Sequence, residues 1–568
     1  MTLYKFTLFL PITSDSEQRF AAHLPNRHYR ITKRLPMKKQ RQIPLLFWLI
    51  YLTAGSLQVT TAQVITSPQI DALVQRTLTT FEVPGIAVAV VKDGKVVHAK
   101  GYGVRSLKTK EKINENTAFG IASNSKAFTS AAIGMLMDEG KLTWDDKVID
   151  YIPEFRMYNG YVTEEFTIRD LLTHRSGLGL GAGDLMFWPD SSNFTINDII
   201  HNLRYLKSVS GFRTKYDYDN LLYMVAGEVV ERVSGKPWEV FVEERIMKPL
   251  GMNRSAGSYV GLADKVNVID AHAPVNGTVQ VIDRDMFRFG YSAGGINSSV
   301  ADMSKWVITQ LNNGKYGDGK QLLSESVHNE MWAPQTIIPV GPTPVPPYNT
   351  HFAAYGLGWF LSDVKGYKQV THTGGLAGMV TQVTLFPELK LGIIVFTNQQ
   401  SGAAFSAITN TIKDSYLGIP ASDWVAKYDE RVKKGLNEAD KLTKDIWADI
   451  TSEQKNNTAK IDFSTYAGTY RDRWFGDVVL SQKDGHFTFQ SVRSPKLTGE
   501  LFYYKGITGS APQFVVKWNN RSFDADAYVT FQVDDTMKPV AIKMKPISPL
   551  TDFSFNFQNL DFQRVKEK

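Results

Sequence analysis

The sequence has no cysteine. That excludes disulfides, a cysteine-based metal site and a lipid-modified N-terminal cysteine, so stability must come from apolar cores. A long apolar run is also missing. The stretch Ile43 to Ala54 (IPLLFWLIYLTA) is shorter than the roughly 20 residues a spanning helix needs. It follows Lys38, Lys39 and Arg41 and precedes small residues, Val59-Thr60-Thr61-Ala62 before Gln63. This order predicts a cleaved secretory signal rather than an anchor. The expected protein is therefore exported, periplasmic or secreted, with no stable membrane anchor after cleavage. The polar, basic residues before Met37 read as upstream sequence, with translation starting at Met37. A strong charge imbalance is absent as well: the net charge of +7 sits largely in those leading residues, so no nucleic-acid partner is expected.

What is present is ordinary globular composition, 43% hydrophobic and 21% charged, over 568 residues. That length exceeds one core and predicts two domains behind the leader. The expected division is an upstream segment and signal over 1–62, a first domain over 63–420, a linker helix over 421–460 and a C-terminal domain over 461–568.

Ser67-Pro68 opens an amphipathic helix. Two strands, Ile86 to Val91 and Val96 to Lys100, flank the hairpin signal Asp93-Gly94. Helical patterns follow at Phe119 to Leu142, Ile168 to Leu178 and Leu221 to Val233. Strand patterns return at Tyr367 to His372, Met379 to Phe386 and Gly392 to Thr397, and Ala404 to Tyr416 is helical again. Strands at both ends with helices between them predict an α/β (α+β) fold: one sheet completed by distant parts of the chain, a separate helical lobe, and a cleft between. Asp423 to Asp449 repeats apolar residues three or four apart, an amphipathic linker helix. Beyond it, alternation at Phe487/Phe489, Val529/Phe531/Val533, Ile542/Met544 and Phe553/Phe555/Phe557 predicts a small antiparallel barrel or sandwich. Packing over the cleft, joining subunits into an oligomer and adding stability are the roles open to this domain, which is expected to be separable near Ala421.

Two glycine-rich stretches carry no nucleotide chemistry. Gly314 to Gln321 (GKYGDGKQ) lacks the magnesium-binding hydroxyl of a phosphate loop, and Gly177 to Gly183 (GLGLGAG) follows helical rather than strand pattern. The second is expected to be a loop beside the cleft. Pro-rich Pro334 to Pro347 is a further long loop, either covering the site or facing solvent.

The chemistry lies in three separated motifs. Ser123 and Lys126 stand three apart on a helical pattern, which places an amine one turn from a hydroxyl it can activate. Spacing alone does not select this pair, since Ser362/Lys365 and Ser452/Lys455 share it. Tyr218-Asp219-Asn220 precedes a helix; a tyrosine near lysine can shuttle a proton and an asparagine can orient the amine. His372-Thr373-Gly374-Gly375 ends a strand, and its glycines permit close backbone approach.

In this order the motifs Ser-x-x-Lys, Tyr-x-Asn and His-Thr-Gly resemble those of the serine β-lactamase and penicillin-binding protein superfamily. The nearest likeness is to the branch holding class C β-lactamases, DD-peptidases, D-aminopeptidases and β-lactamase-like esterases. The likeness covers roughly residues 67 to 418, including LLTHRSGL (171–178) and YSAGGINSSVADMSKW (291–306). The C-terminal domain is similar to a β-barrel appended to some of these hydrolases. The resemblance implies a hydrolase that forms an acyl-enzyme on Ser123, with Lys126 and Tyr218 sharing the proton traffic and either one as acylation base. It implies substrate binding by Asn220, His372, Thr373 and Gly374, and an oxyanion hole from the amides of Ser123 and Gly375. It calls for no metal and no cofactor. The substrate would be a small ester, a peptide with a D-residue or a lactam; a penicillin-binding or interaction protein with little turnover is the alternative. His372 stands where many relatives have lysine, which argues against efficient β-lactam hydrolysis.

Overall fold

The computed structural model describes residues 63–456, 462–505 and 512–566. The expected signal over 1–62 lies outside the described residues. Among those described, no helix is long and apolar enough to cross a membrane.

An eight-stranded antiparallel sheet forms the base of the first half. In spatial order its strands are Lys95–Gly103, Gly85–Lys92, Leu391–Thr397, Met379–Phe386, Tyr367–Leu376, Phe360–Val364, Ala353–Tyr355 and Thr336–Ile338. Both ends of the domain therefore pair with each other, as the second and third strands from one edge, with Val88 opposite Val395. The Asp93-Gly94 turn takes φ of 51° and 74°, the left-handed pair that a two-residue hairpin requires. Alternate residues of Gly85–Lys92 feed two cores, as the strand period dictates. Ile86, Val88 and Val90 pack on the helices Ser67–Thr80 and Gly402–Tyr416. Ala87, Ala89 and Val91 face the helix Val300–Leu311 and the interior of the helical lobe.

One predicted helix is shorter than expected, and the sheet extends beyond the predicted strands. The helix expected over Ile168 to Leu178 stops at Leu171, because His174 turns the chain with φ of 52°. The edge strands Thr336–Ile338, Ala353–Tyr355 and Phe360–Val364 are too short to announce themselves by alternation. The Pro-rich segment begins as the outermost of them and then runs over the surface, away from the cleft. The GKYGDGKQ stretch is a surface hairpin.

The helix Trp424–Asn456 spans the two halves. Val425 is buried against the sheet, while Ile446 and Ile450 pack on Tyr504, Val515 and Ile547 of the second half. That half is a closed eight-stranded barrel running from Gly468–Asp472 round to Phe562–Arg564. The alternation at Phe553/Phe555/Phe557 is not a strand: it is a turn leading to the short helix Phe557–Asn559.

The barrel does not stand apart. One apolar core runs from the helical lobe into it: Trp188 packs on Phe523 and Phe555, and Phe194 on Phe475. Polar seams join the same surfaces. Arg493 binds Asn193 and Asp198, and Asn202 donates to the carbonyl of Trp474 at 2.9 Å. These contacts argue against the expectation of a separable barrel, because they bury lobe aromatics against it.

Candidate active site

Ser123 sits in a tight turn, Ala122–Asn124, that runs directly into the helix Ser125–Asp138. The predicted single helix from Phe119 thus begins later, and the nucleophile candidate precedes its first turn. Ala122 adopts φ of 50°, a costly conformation for a residue with a side chain, of the kind that persists only when its surroundings impose it. They do so here. The Asn124 amide and the Thr381 hydroxyl both donate to the carbonyl of Ile121, and the Ile121 amide donates to the carbonyl of Ile296. Gly374 lies so close that a Cβ there would fall 2.2 Å from the Ile121 carbonyl. Gly374 stands between Thr373 and Gly375, which border the cleft, and what the structure shows of it is this close approach.

Lys126 is fully buried. Its Nζ lies 3.1 Å from Ser123 Oγ, 2.8 Å from Asn220 Oδ1 and 2.8 Å from the carbonyl of Ala293. The last contact is secured by Thr129, whose hydroxyl donates to the carbonyl of Ser292. Burial pushes the Lys126 amine down to about 7, against the opposing pull of Asp184 and Asp219. Two of its three partners are carbonyl oxygens that only accept. A neutral amine must give them its two N–H bonds, which leaves its lone pair facing the Ser123 hydroxyl.

Tyr218, nearly buried, reaches Ser123 from the loop before the helix Leu221–Ser234. Burial holds its phenol well above the ordinary value, and the bond to Ser123 lowers it only in part. The sequence allowed either direction for this tyrosine; the dry environment decides for a neutral phenol. Asn220 completes the group, its Nδ2 donating to Asp184 Oδ2 at 2.8 Å.

His372 is buried. Its Nδ1 meets the carbonyl of Thr373 at 2.6 Å, so that nitrogen carries the proton, and its Nε2 accepts from Tyr355 at 3.0 Å. Burial pushes it down to about 3. It is neutral at any ordinary pH and supplies no positive charge. Thr373 and Gly375 border the cleft. Their strand pairs with Phe360–Val364 only as far as Thr371, so its last residues present an unpaired edge beside Ser123.

The cleft encloses about 980 Å³ counted to its open mouth. Its floor is Ser123, Tyr218, Asn220, Thr373 and Gly375; its walls carry Phe187, Trp188 and Phe287 from the lobe. The barrel supplies the roof through Ser522, Phe523 and Asp524 and through Asp552 to Phe555. Among the described residues, no lysine or arginine lines it. The Gly177 to Gly183 loop does lie beside the cleft: Gly181 donates its amide to the carbonyl of Tyr218, and its own carbonyl accepts from Asn556 of the barrel segment.

Several residues of this site are assigned no role from the sequence, although Asp219 stands inside the Tyr-Asp-Asn motif and His174 inside LLTHRSGL. Asp184, Asp219 and His174 are completely buried behind Lys126. Asp184 also accepts from the hydroxyl of Ser554, 370 positions away, at 2.8 Å. The glycines before Asp184 were the only local signal; the partnership with Ser554 had none. The competing pairs are placed elsewhere. Ser362 is on a sheet strand, with Lys365 bonding the carbonyl of Leu417, and Ser452 with Lys455 lies on the linker helix.

The model of the Beta-lactamase family matches residues 70–417, and a domain of unknown function, DUF3471, matches residues 452–564. Among curated proteins, the chain is similar to the unguisins hydrolase ungD of Aspergillus violaceofuscus, 27% identical over 77% of this chain and 80% of that protein. It is also similar to protein flp of Staphylococcus aureus, 29% identical over 59% of this chain and 63% of that one. Among solved structures, the octameric penicillin-binding protein homologue from Pyrococcus abyssi shares the fold. Its TM-score is 0.55 at 22% identity, covering 88% of this chain and all of that one. With more than half its length matched by that model, the chain belongs to the Beta-lactamase family.

Proposed function

We propose that this protein is a serine hydrolase that forms an acyl-enzyme on Ser123 and transfers the acyl group to water. The observation that carries this reading is a fully buried lysine, its proton affinity brought near neutrality, with its lone pair directed at a half-buried serine at the base of a cleft. An ordinary lysine at pH 7 is neutral in only about one molecule in three thousand; at a pKa of about 7 the base form is half the population.

Lys126 takes the Ser123 proton as Oγ attacks the carbonyl carbon. Tyr218, a neutral phenol bonded to the same hydroxyl, gives its proton to the leaving group and recovers one from Lys126. In deacylation water takes the place of the leaving group and the protons return by the same route. The amides of Ser123 and Gly375 receive the developing oxyanion, a kind of contact worth about 3 kcal/mol per donor. The observed polarity favours Lys126 as base, since Tyr218 is held too strongly protonated to accept first.

The walls indicate the substrate. Six aromatic rings, Phe187, Trp188, Phe287, Phe523, Phe553 and Phe555, surround the nucleophile. With no lysine or arginine on the lining among the described residues and His372 neutral, a carboxylate beside the scissile bond finds no cationic partner among them. The site therefore suits an ester or amide with an apolar or aromatic acyl group better than an anionic lactam. The unguisins hydrolase relative supports hydrolysis in general. A fluorophosphonate probe tests the reading: the wild-type protein should label and Ser123→Ala should not. Equal labelling of both would remove Ser123 as nucleophile.

A further inference from the structure

Among the described residues, Asn220 is the only hydrogen-bonded link between Lys126 and the Asp184 carboxylate behind it, and the direction of that link is fixed. A carboxylate only accepts hydrogen bonds. Asn220 must therefore turn its amide nitrogen to Asp184 and its carbonyl to Lys126. Were the amide reversed, two donors would face each other at Lys126. The same Asp184 oxygen accepts from Ser554, which the turn after the seventh barrel strand delivers. The chain of contacts runs Ser554 hydroxyl, Asp184 carboxylate, Asn220 amide, Lys126 amine, Ser123 hydroxyl.

A purely structural polar cluster would not look like this. Asp184 is fully buried, and its second oxygen, Oδ1, has no hydrogen-bond partner. A buried ionisable group left half satisfied is costly to the fold, and such groups concentrate where their charge is used.

We propose that Asp184, fixed by the Ser554 hydroxyl of the C-terminal barrel, is the positioning residue of the proton-transfer machinery: it orients Asn220 and supplies the countercharge that decides when Lys126 releases its proton. The proposal rests on the hydrolase reading above for its consequence in turnover, but not for its geometry. The other titratable groups facing Lys126 are Asp219, His174, Tyr218, Tyr223 and His372. Burial keeps both imidazoles and both phenols neutral. Asp219 is the remaining carboxyl, raised to about 7 by burial and bonded to backbone amides rather than to Asn220. Burial raises the Asp184 carboxyl well above its ordinary value too, opposed by the bonds from Ser554 and Asn220 that favour its ionised form; it is the carboxyl connected to Lys126 through a hydrogen-bonded group, and its ionised form is the countercharge.

The test is a titration of Lys126 itself in the full chain, from the ¹³Cε resonance of labelled lysine, assigned by its loss in Lys126→Arg. Removing a nearby opposite charge makes an amine easier to deprotonate, so Asp184→Asn should lower the midpoint by about one pH unit. Ser554→Ala withdraws a donor from the carboxylate, raises its proton affinity and should move the midpoint the same way by less; Ser554→Thr should restore it. The pH at which fluorophosphonate labels Ser123 should shift in parallel. Wild-type midpoints in both Asp184→Asn and Ser554→Ala, with native near-UV circular dichroism, would overturn the proposal. If Asp184→Asn does not fold, the Ser554→Ala and Ser554→Thr pair decides alone. Absence of labelling in the wild type would instead remove the hydrolase reading, and the lysine titration would still decide this one.

Discussion

The two sides of the cleft are built on different principles. The floor, from the α/β half, is polar, fully buried behind Ser123 and fixed atom by atom: the bonds of Lys126 to Asn220 and Ala293 permit one direction, and its contact with Ser123 reverses when the amine loses its proton. The roof, from the barrel, meets it with rings, Phe523, Phe553 and Phe555, and with a single hydroxyl that reaches the floor, Ser554. The floor holds groups whose proton affinities the dry interior has moved; the roof holds the apolar area that keeps that interior dry. Chemistry and selectivity are thus separated by domain, while the burial that both need is shared.

The severest way to break this comparison is to remove the roof. A chain ending at Ala421 exposes Trp188 and Phe194, each worth about 1.5–3 kcal/mol when buried, and opens Asp184 to water. It is expected to be insoluble or molten, checked by gel filtration and near-UV circular dichroism; a soluble, cooperatively melting fragment would show the halves to be independent. Within the floor, Tyr218→Phe keeps the ring packing and removes only the proton carrier. It should lower turnover of a nitrophenyl ester by about 10², with a loss confined to KM counting against the relay. The pH profile comes next. Lys126 is shifted down from 10.5 to about 7, so the base form is lost as pH falls through that value. Below it kcat/KM should drop about tenfold per pH unit, whereas a fall centred near pH 10 would mean an ordinary lysine. Phe523→Ala probes the roof alone. The ratio of kcat/KM for a phenylacetyl over an acetyl nitrophenyl ester should fall about tenfold, the scale of a lost apolar contact; an unchanged ratio would place the acyl group elsewhere. The smallest effect belongs to the rim. Lys207 and Asp561 pair across the domains at 3.0 Å, with Lys207 73% exposed, and Lys207→Ala should change Tm by under about 2 °C.

The sequence disclosed the floor better than the roof, for a physical reason. Ser123, Lys126, Tyr218 and Asn220 announce themselves because the acyl transfer proposed for them calls for those residue types in short local motifs, and the sheet strands because burial on both faces makes long apolar runs. Phe553 and Phe555 alternate like a strand and were read as one, yet they sit in a turn that faces the cleft. Their role comes from contact with residues hundreds of positions away, which no local period records. Asp184 was hidden likewise. A buried acid and a surface acid look alike in a sequence, and only Ser554 and Asn220, brought in from distant segments, distinguish it. Gly374 was legible as a close approach, but not what it approaches.

The pairing of the first strands with the last has a consequence for biogenesis. Gly85–Lys92 and Lys95–Gly103 emerge early from the ribosome, but the strand that covers their open edge, Leu391–Thr397, comes only after the whole lobe. Until then the nascent chain carries an apolar ribbon with one bare side, the kind of surface that recruits wrong partners. Synthesis must outlast that exposure, so holdase protection of the unfinished chain matters more here than in a protein whose neighbouring strands are made in succession.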